Sequence, residues 1–195
     1  MVLEKRQNSS NPIADTFVLL SGGVDSMLCA HFVRSKGYIT QGLFVDYGQP
    51  AARNERDAAE ALSRNLGLRP LLSLTARRAT EFPGGEIIGR NAFLIFSAMM
   101  LAGINRGLLV IGVHSGTPYY DCSLGFMRRI ADLVSEYTDG GLQLIAPLLE
   151  WEKPAILTYA KEQNLPLAFT YSCEAGASPP CGECLSCRDR RRMGC

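Results

Sequence analysis

The residues best placed to do chemistry lie in one short turn and one cysteine cluster. Ser21-Gly22-Gly23-Val24-Asp25-Ser26 follows the apolar run Phe17–Leu20, and an amphipathic stretch begins at once behind it. Strand, tight turn and helix start are thus contiguous. Two glycines let backbone N–H groups approach an anion closely. A helix N-terminus behind them adds unpaired donors and the positive end of its dipole. The expected ligand is a phosphate chain, held by Leu20, Ser21, Gly22, Gly23, Val24, Asp25 and Ser26. No Gly-Lys-Ser/Thr is present, which excludes a Walker A loop. The second feature is Cys173, Cys181, Cys184 and Cys187, spaced C-x7-C-x2-C-x2-C. Two-residue spacers let successive thiolates converge on one metal, and four complete a closed tetrahedral zinc shell. An iron–sulfur cluster takes the same four ligands. Zinc is the expectation, because nothing else in the chain suggests electron transfer. A closed shell has no position for substrate, so the metal is read as structural.

These groups need a scaffold, and 195 residues with 47% hydrophobic content suffice for one packed domain. The formal charge of +1 gives no bulk attraction to nucleic acid or membrane. Of the 20 basic residues only Lys5, Lys36, Lys153 and Lys161 are lysines. The remainder are arginines, which suit bidentate contact with phosphate or carboxylate. The run Arg188, Arg190, Arg191 and Arg192 reads as a solvated tail. No stretch approaches the ~20 apolar residues of a membrane span, and the polar N-terminus lacks a signal-peptide core. A cytoplasmic location is expected. Cysteines there stay reduced, so seven of them point to metal or catalysis rather than disulfides.

Periodicity predicts five strands alternating with helices. The strands fall near Phe17–Leu20, Tyr38–Val45, Leu71–Leu74, Leu108–Val113 and Gln143–Ala146. The helices fall near Asp25–Ser35, Ala51–Leu66, Asn91–Ile104, Leu124–Tyr137 and Pro154–Gln163. The helix from Asn91 is almost wholly apolar and is expected to be buried. The alternation implies an α/β fold, a Rossmann-like doubly wound parallel sheet with helices on both faces. Ligands in such sheets sit at the carboxyl ends of the strands. Residues 1–13 are expected to be a flexible lead, 14–166 the nucleotide-binding domain, and 167–195 a small cysteine-rich metal-binding tail.

The Ser-Gly-Gly-x-Asp-Ser turn resembles the pyrophosphate loop, or PP-loop, of ATP-pyrophosphatases. Further motifs narrow the resemblance. They are Val45-Asp46-Tyr47-Gly48-Gln49, Gly89-Arg90-Asn91, Ile111-Gly112-Val113-His114, Tyr120-Asp121-Cys122, the Lys153 segment, Tyr171-Ser172-Cys173 and the cysteine cluster. From Phe17 to Arg190 the chain is similar to the 7-cyano-7-deazaguanine synthases. That resemblance implies conversion of 7-carboxy-7-deazaguanine and ammonia to the nitrile at the cost of ATP, through an adenylated carboxylate. It implies ATP, Mg²⁺ and Zn²⁺ as cofactors and a small-molecule substrate; no membrane or direct nucleic-acid partner is expected, and whether the chain forms a homodimer is left open by the sequence.

The roles it implies attach to matching positions. Ser21, Gly22, Gly23 and Ser26 cradle pyrophosphate, and Asp25 holds Mg²⁺ or caps the helix. Asp46, Tyr47 and Gln49 lie beside the nucleotide, and Lys153 reaches phosphate. Arg90, Asn91, Tyr120, Asp121 and Cys122 face the substrate. His114 is a general base or a neutral hydrogen bonder. The chain departs from the family at Ser123, where an arginine is usual, and in the short segment Thr75–Gly89. Those departures leave room for a related ligase that joins a deazaguanine acid to a protein amine. A nucleotide-binding scaffold without turnover and a tRNA-thiolating enzyme are the remaining alternatives. Asp25, Asp46 and Lys153 argue against the first. The commitment of four cysteines to metal argues against the second.

Overall fold

The computed structural model describes residues 15–76, 86–114 and 116–192. Five strands form one sheet: β1 (Thr16–Leu19), β2 (Thr40–Asp46), β3 (Arg69–Thr75), β4 (Gly107–Val110) and β5 (Leu142–Ile145). Their order is β3-β2-β1-β4-β5, and all pairings are parallel. The intervening helices are α1 (Val24–Ser35), α2 (Ala52–Asn65), α3 (Arg90–Leu101), α4 (Leu124–Tyr137) and α5 (Lys153–Glu162). A final helix, α6 (Leu185–Arg192), follows the cysteine-rich segment. This is the doubly wound parallel α/β sheet expected from the alternation. The expected lead at 1–13 and the Pro83-Gly84-Gly85 segment lie outside the described residues.

Side-chain alternation along the strands divides the core in two. Val18, Leu20, Phe44 and Val110 face one layer with Met27, Leu28, Leu62, Ile156 and Ala160 from α1, α2 and α5. Leu19, Leu43, Val45 and Leu109 face the other with Ile95, Ala98, Phe126, Ile130 and Val134 from α3 and α4. Right-handed crossovers require this split. The chain steps outward from β1 to β3 over one face. It then returns to β4 and β5 over the other. The reversal falls between β1 and β4, so the segments after those strands open the crevice where ligands bind in such folds.

Two expectations need correction. The apolar α3 is not buried all round. Ile95 and Ala98 are fully enclosed, but Phe93 is 41% and Met100 76% exposed. A helix laid on a sheet reaches it with one stripe only, so uniform apolarity cannot enclose the opposite face. The terminal arginines are not simply a solvated tail. Arg190 Nη1 donates to the Thr170 carbonyl and hydroxyl, both at 2.9 Å, and Arg191 donates to the Gly182 carbonyl at 3.2 Å.

The two faces of α3 differ in what they contribute to stability. Ile95→Ala is expected to cost about 2–5 kcal/mol in urea unfolding, the usual range for truncating an enclosed aliphatic side chain. A loss below about 0.5 kcal/mol, the scale of an exposed substitution, would contradict this packing.

Candidate active site

The PP-loop-like turn sits at the carboxyl end of the central strand. Helix α1 starts at Val24, and its first ladder bond runs from the Met27 N–H to the Gly23 carbonyl at 3.1 Å. The N–H groups of Val24, Asp25 and Ser26 therefore lie ahead of the ladder, in the region where a helix offers donors to an anion. Ser26 donates to the Gly23 carbonyl at 3.0 Å, and the Ser21 hydroxyl donates to Ser26 Oγ at 3.2 Å. Leu20 and Val24 are in the core, so they bring only backbone groups to the turn. Gly22 has φ +81°, and a β-carbon there would stand 2.6 Å from the Glu55 carbonyl oxygen. No other residue type fits without moving α2. Gly112 lets the segment after β4 pass close to the start of α1, since its β-carbon would meet Ser26 N at 3.1 Å.

Asp25, His114 and Lys153 come together from α1, the β4 end and the first turn of α5. Lys153 Nζ is 2.5 Å from Asp25 Oδ1, and His114 Nε2 is 3.7 Å from Asp25 Oδ2. The Gly116 N–H donates to His114 Nδ1 at 3.1 Å, which places the ring proton on Nε2, toward Asp25. Burial holds the imidazole below its ordinary value of 6.5. The Asp25 carboxylate opposes that shift, and the Lys153 charge adds to it. His114 is thus held toward its uncharged form, which suits either of the two roles open from sequence.

The mouth of β2 is a second cluster. Asp46 accepts from the Gly48 N–H at 3.1 Å and pairs with Arg56 at 2.5 Å. Gln49 is internal. It accepts from the Tyr47 N–H at 2.9 Å and donates to the Val45 carbonyl at 3.3 Å and to Glu55 at 2.8 Å. Its amide shapes the turn. Burial raises the Glu55 carboxyl, countered by the Gln49 bond and by the nearby Arg90 guanidinium. Burial likewise raises the Tyr47 phenol, with Arg90 opposing. Tyr47 also packs edge-on against Phe93, ring centroids 6.2 Å apart.

Asn91, Asp121 and Cys122 form a third group. Asp121 accepts from the Asn91 N–H at 3.1 Å, and the Asn91 amide donates to the Asp121 carbonyl at 3.0 Å. These bonds tie the short 3-10 turn Tyr120–Cys122 to the start of α3. Burial and the Asp121 carboxylate raise the Cys122 thiol, which favours its protonated form. Tyr120 is exposed and accepts from Arg129 at 2.9 Å. Ser123 caps α4 by accepting from the Phe126 N–H at 3.1 Å.

The four cysteine sulfurs lie within 4.8 Å of one another. Cys181 and Cys187 are 3.9 Å apart. Thiolates ~2.3 Å from one zinc stand roughly 3.8 Å apart in a tetrahedron, so the set fits a single tetrahedral ion. Backbone N–H groups at Cys181, Cys184 and Cys187 donate to cysteine sulfurs at 3.4 Å. Burial alone would raise the Cys173 thiol, but backbone donors at Cys181, Ala177 and Ala175 outweigh it and bring it to about 6. A cavity of about 440 Å³ opens against this knuckle, lined by Thr170, Ser172, Pro180 and Arg190 among others.

The family model described as "Queuosine biosynthesis protein QueC" matches residues 15–82 and 72–194. The chain belongs to the QueC family. Its QueC-family relatives include the 7-cyano-7-deazaguanine synthase of Synechococcus sp. (strain RCC307), 35% identical over 90% of this chain and 91% of that one. The synthases of Prochlorococcus marinus (strain NATL2A) and Paracoccus denitrificans (strain Pd 1222) are 31% and 30% identical over 90% of this chain. They are matched over 90% and 86% of their own lengths. Two solved structures share the fold at lower identity. A predicted subunit of tRNA methyltransferase from Methanocaldococcus jannaschii has a TM-score of 0.55 at 19% identity, over 76% of each chain. The U34-tRNA thiolase NcsA from Methanococcus maripaludis, with its [4Fe-4S] cluster, has a TM-score of 0.53 at 17% identity. That match covers 92% of this chain and 64% of the thiolase. No helix among the described residues is long and apolar enough to cross a membrane.

The site adds residues that sequence reading passed over: Asn54, Glu55 and Arg56, all on the first turns of α2. Their signal was position, since they follow directly on the strand end carrying Asp46. The neutral His114 can be checked directly. Its folded value lies below 6.5, so the unfolded chain takes up a proton first as pH falls. Stability therefore drops on acidification from about 6.5 toward the folded midpoint. ¹⁵N-detected NMR should show the Nε2–H tautomer at pH 7. An imidazolium at that pH would contradict the arrangement.

Proposed function

We propose that this chain uses ATP to convert 7-carboxy-7-deazaguanine and ammonia into 7-cyano-7-deazaguanine. The observation that carries the reading is the PP-loop-like turn at the sheet's reversal point with the Asp25–Lys153 pair beside it, in a QueC-family chain. A carboxylate is a poor electrophile. Attack of a carboxylate oxygen on the α-phosphorus of ATP expels pyrophosphate and leaves AMP as an acyl leaving group. Ammonia then displaces AMP to give the amide. The amide oxygen attacks a second ATP in the same way and departs on AMP, and loss of the nitrogen protons completes the nitrile.

Ser21, Gly22, Gly23 and Ser26, with the first N–H groups of α1, receive the departing pyrophosphate. Lys153 brings positive charge to the same end. Asp25 is held from both sides by Lys153 and His114, in position to hold a magnesium ion. Mg²⁺, when bound, neutralises phosphate charge as the bond to pyrophosphate breaks. Arg90, Asn91 and Tyr120 border the substrate, and Asp46 and Tyr47 border the nucleotide. Gln49 and Asp121 support those groups through the bonds that fix their turns. Cys173, Cys181, Cys184 and Cys187 hold one structural zinc, and the setting is cytoplasmic. The uncovered face of α3, with Phe93 and Met100, pairs with a second copy.

Purified protein with ATP, Mg²⁺, the acid and ammonia should yield the nitrile by mass spectrometry. Adenylation that stops short of the nitrile would overturn the assignment of ammonia as acceptor. Asp25→Asn should lower turnover at least 100-fold with unchanged circular dichroism, on the scale of losing a transition-state electrostatic contact. Near-normal turnover would remove Asp25 from the mechanism. Metal analysis should find one zinc per chain. An iron–sulfur absorption band would contradict that assignment.

A further inference from the structure

The cysteine knuckle is built directly onto the PP-loop-like turn. The Tyr171 N–H, two residues before the ligand Cys173, donates to the Gly22 carbonyl at 2.9 Å. Asn54, on the first turn of α2, donates to the Gly176 carbonyl at 2.8 Å and to the Tyr171 hydroxyl at 3.3 Å. That hydroxyl donates onward to the Ala177 carbonyl at 2.7 Å. Gly176 itself lies so close to the β2–α2 connection that a β-carbon would overlap the Pro50 carbonyl oxygen, 2.2 Å away. On the far side, Arg190 of α6 fastens Thr170. The segment 170–177 is therefore tied to the Gly22 peptide at Tyr171, to the cysteine cluster at Cys173 and to α2 at Tyr171 and Gly176.

We propose that Asn54 and Tyr171 are positioning residues that couple metal occupancy of the cysteine knuckle to nucleotide binding in the Gly22 loop. The inference rests on the function proposed above. A metal on Cys173 fixes the strand of chain that holds the Gly22 carbonyl. Fixing that carbonyl sets the peptide plane of the turn, and hence the donors that follow it. Because coupling free energy is reciprocal, a ligand that orders the turn must also retain the metal. The contacts are hydrogen bonds within one packed unit, so no large movement is required.

The test measures zinc loss from the holoprotein to a chromophoric chelator, with and without α,β-methylene-ATP in excess Mg²⁺. In parallel, calorimetry measures binding of the analogue, and metal analysis fixes the starting zinc content. The native chain should lose zinc at least fivefold more slowly with the analogue. Asn54→Leu removes both donations at similar volume, and it should bring the ratio close to one. A merely structural role would change the basal rate of loss and leave the ratio intact. Tyr171→Phe, which keeps the ring and the backbone bond, should lower the ratio partway and serves if Asn54→Leu does not fold. Equal rates with and without a bound analogue in the native chain would overturn the coupling while leaving the proposed function standing. So would undiminished protection in both variants. Failure of the analogue to bind would overturn both, and absence of metal would overturn the coupling together with the zinc assignment.

Discussion

The peptide of Gly22 is the constraint on which the rest of the site depends. Its left-handed backbone brings the turn against the α2 backbone, where a side chain would collide with the Glu55 carbonyl. Its own carbonyl is held by Tyr171 from the opposite side. With that peptide fixed, α1 starts at Val24 and its leading N–H groups lie at the carboxyl end of the central strand. The sheet reversal beside β1 supplies the crevice, and the cysteine-rich segment closes over one edge of it. Loop, α2 and knuckle are thus one structural unit.

The surrounding charges follow from the same geometry. Four acidic side chains stand near the strand ends, and each has a partner: Asp25 with Lys153, Asp46 with Arg56, Glu55 with Gln49, and Asp121 with the Asn91 N–H. Partly buried carboxylates need such partners, because an unpaired one is costly away from water. The pairing also fixes side-chain directions before any substrate arrives, which is the condition for electrostatic catalysis. His114 is fixed by the Gly116 N–H on Nδ1, and its Nε2 faces Asp25 at 3.7 Å without adding charge.

Most of the fold was legible in the sequence because the strands are short, apolar and punctuated by Gly at helix ends. The strand–turn–helix junction at Ser21–Ser26 and the convergence of the four cysteines were legible through spacing alone. Strand β3 extends to Arg69 and Thr75, further than Leu71–Leu74 suggested, because an edge strand tolerates exposed polar ends. The helix at α3 misled because apolarity was taken to mean enclosure, whereas a sheet covers one stripe. Gln49 and Asp121 were expected beside the nucleotide and the substrate, and their side chains are turned instead to neighbouring groups of the protein. Asn54 went unnoticed because its partners lie more than a hundred positions away, a relation no local pattern carries. Ser123 shows the converse. Read as a missing arginine, it turns out to be the cap of α4, so restoring arginine there would sacrifice a cap contributing about 1 kcal/mol.

The central claim is that the Gly22 turn serves transfer of AMP, with pyrophosphate leaving, rather than transfer of a terminal phosphate. Acid labelled with ¹⁸O in both carboxylate oxygens separates these directly. The account predicts that turnover moves the label into the phosphate of AMP and leaves pyrophosphate unlabelled. Label in orthophosphate, or AMP formed without label, would contradict it.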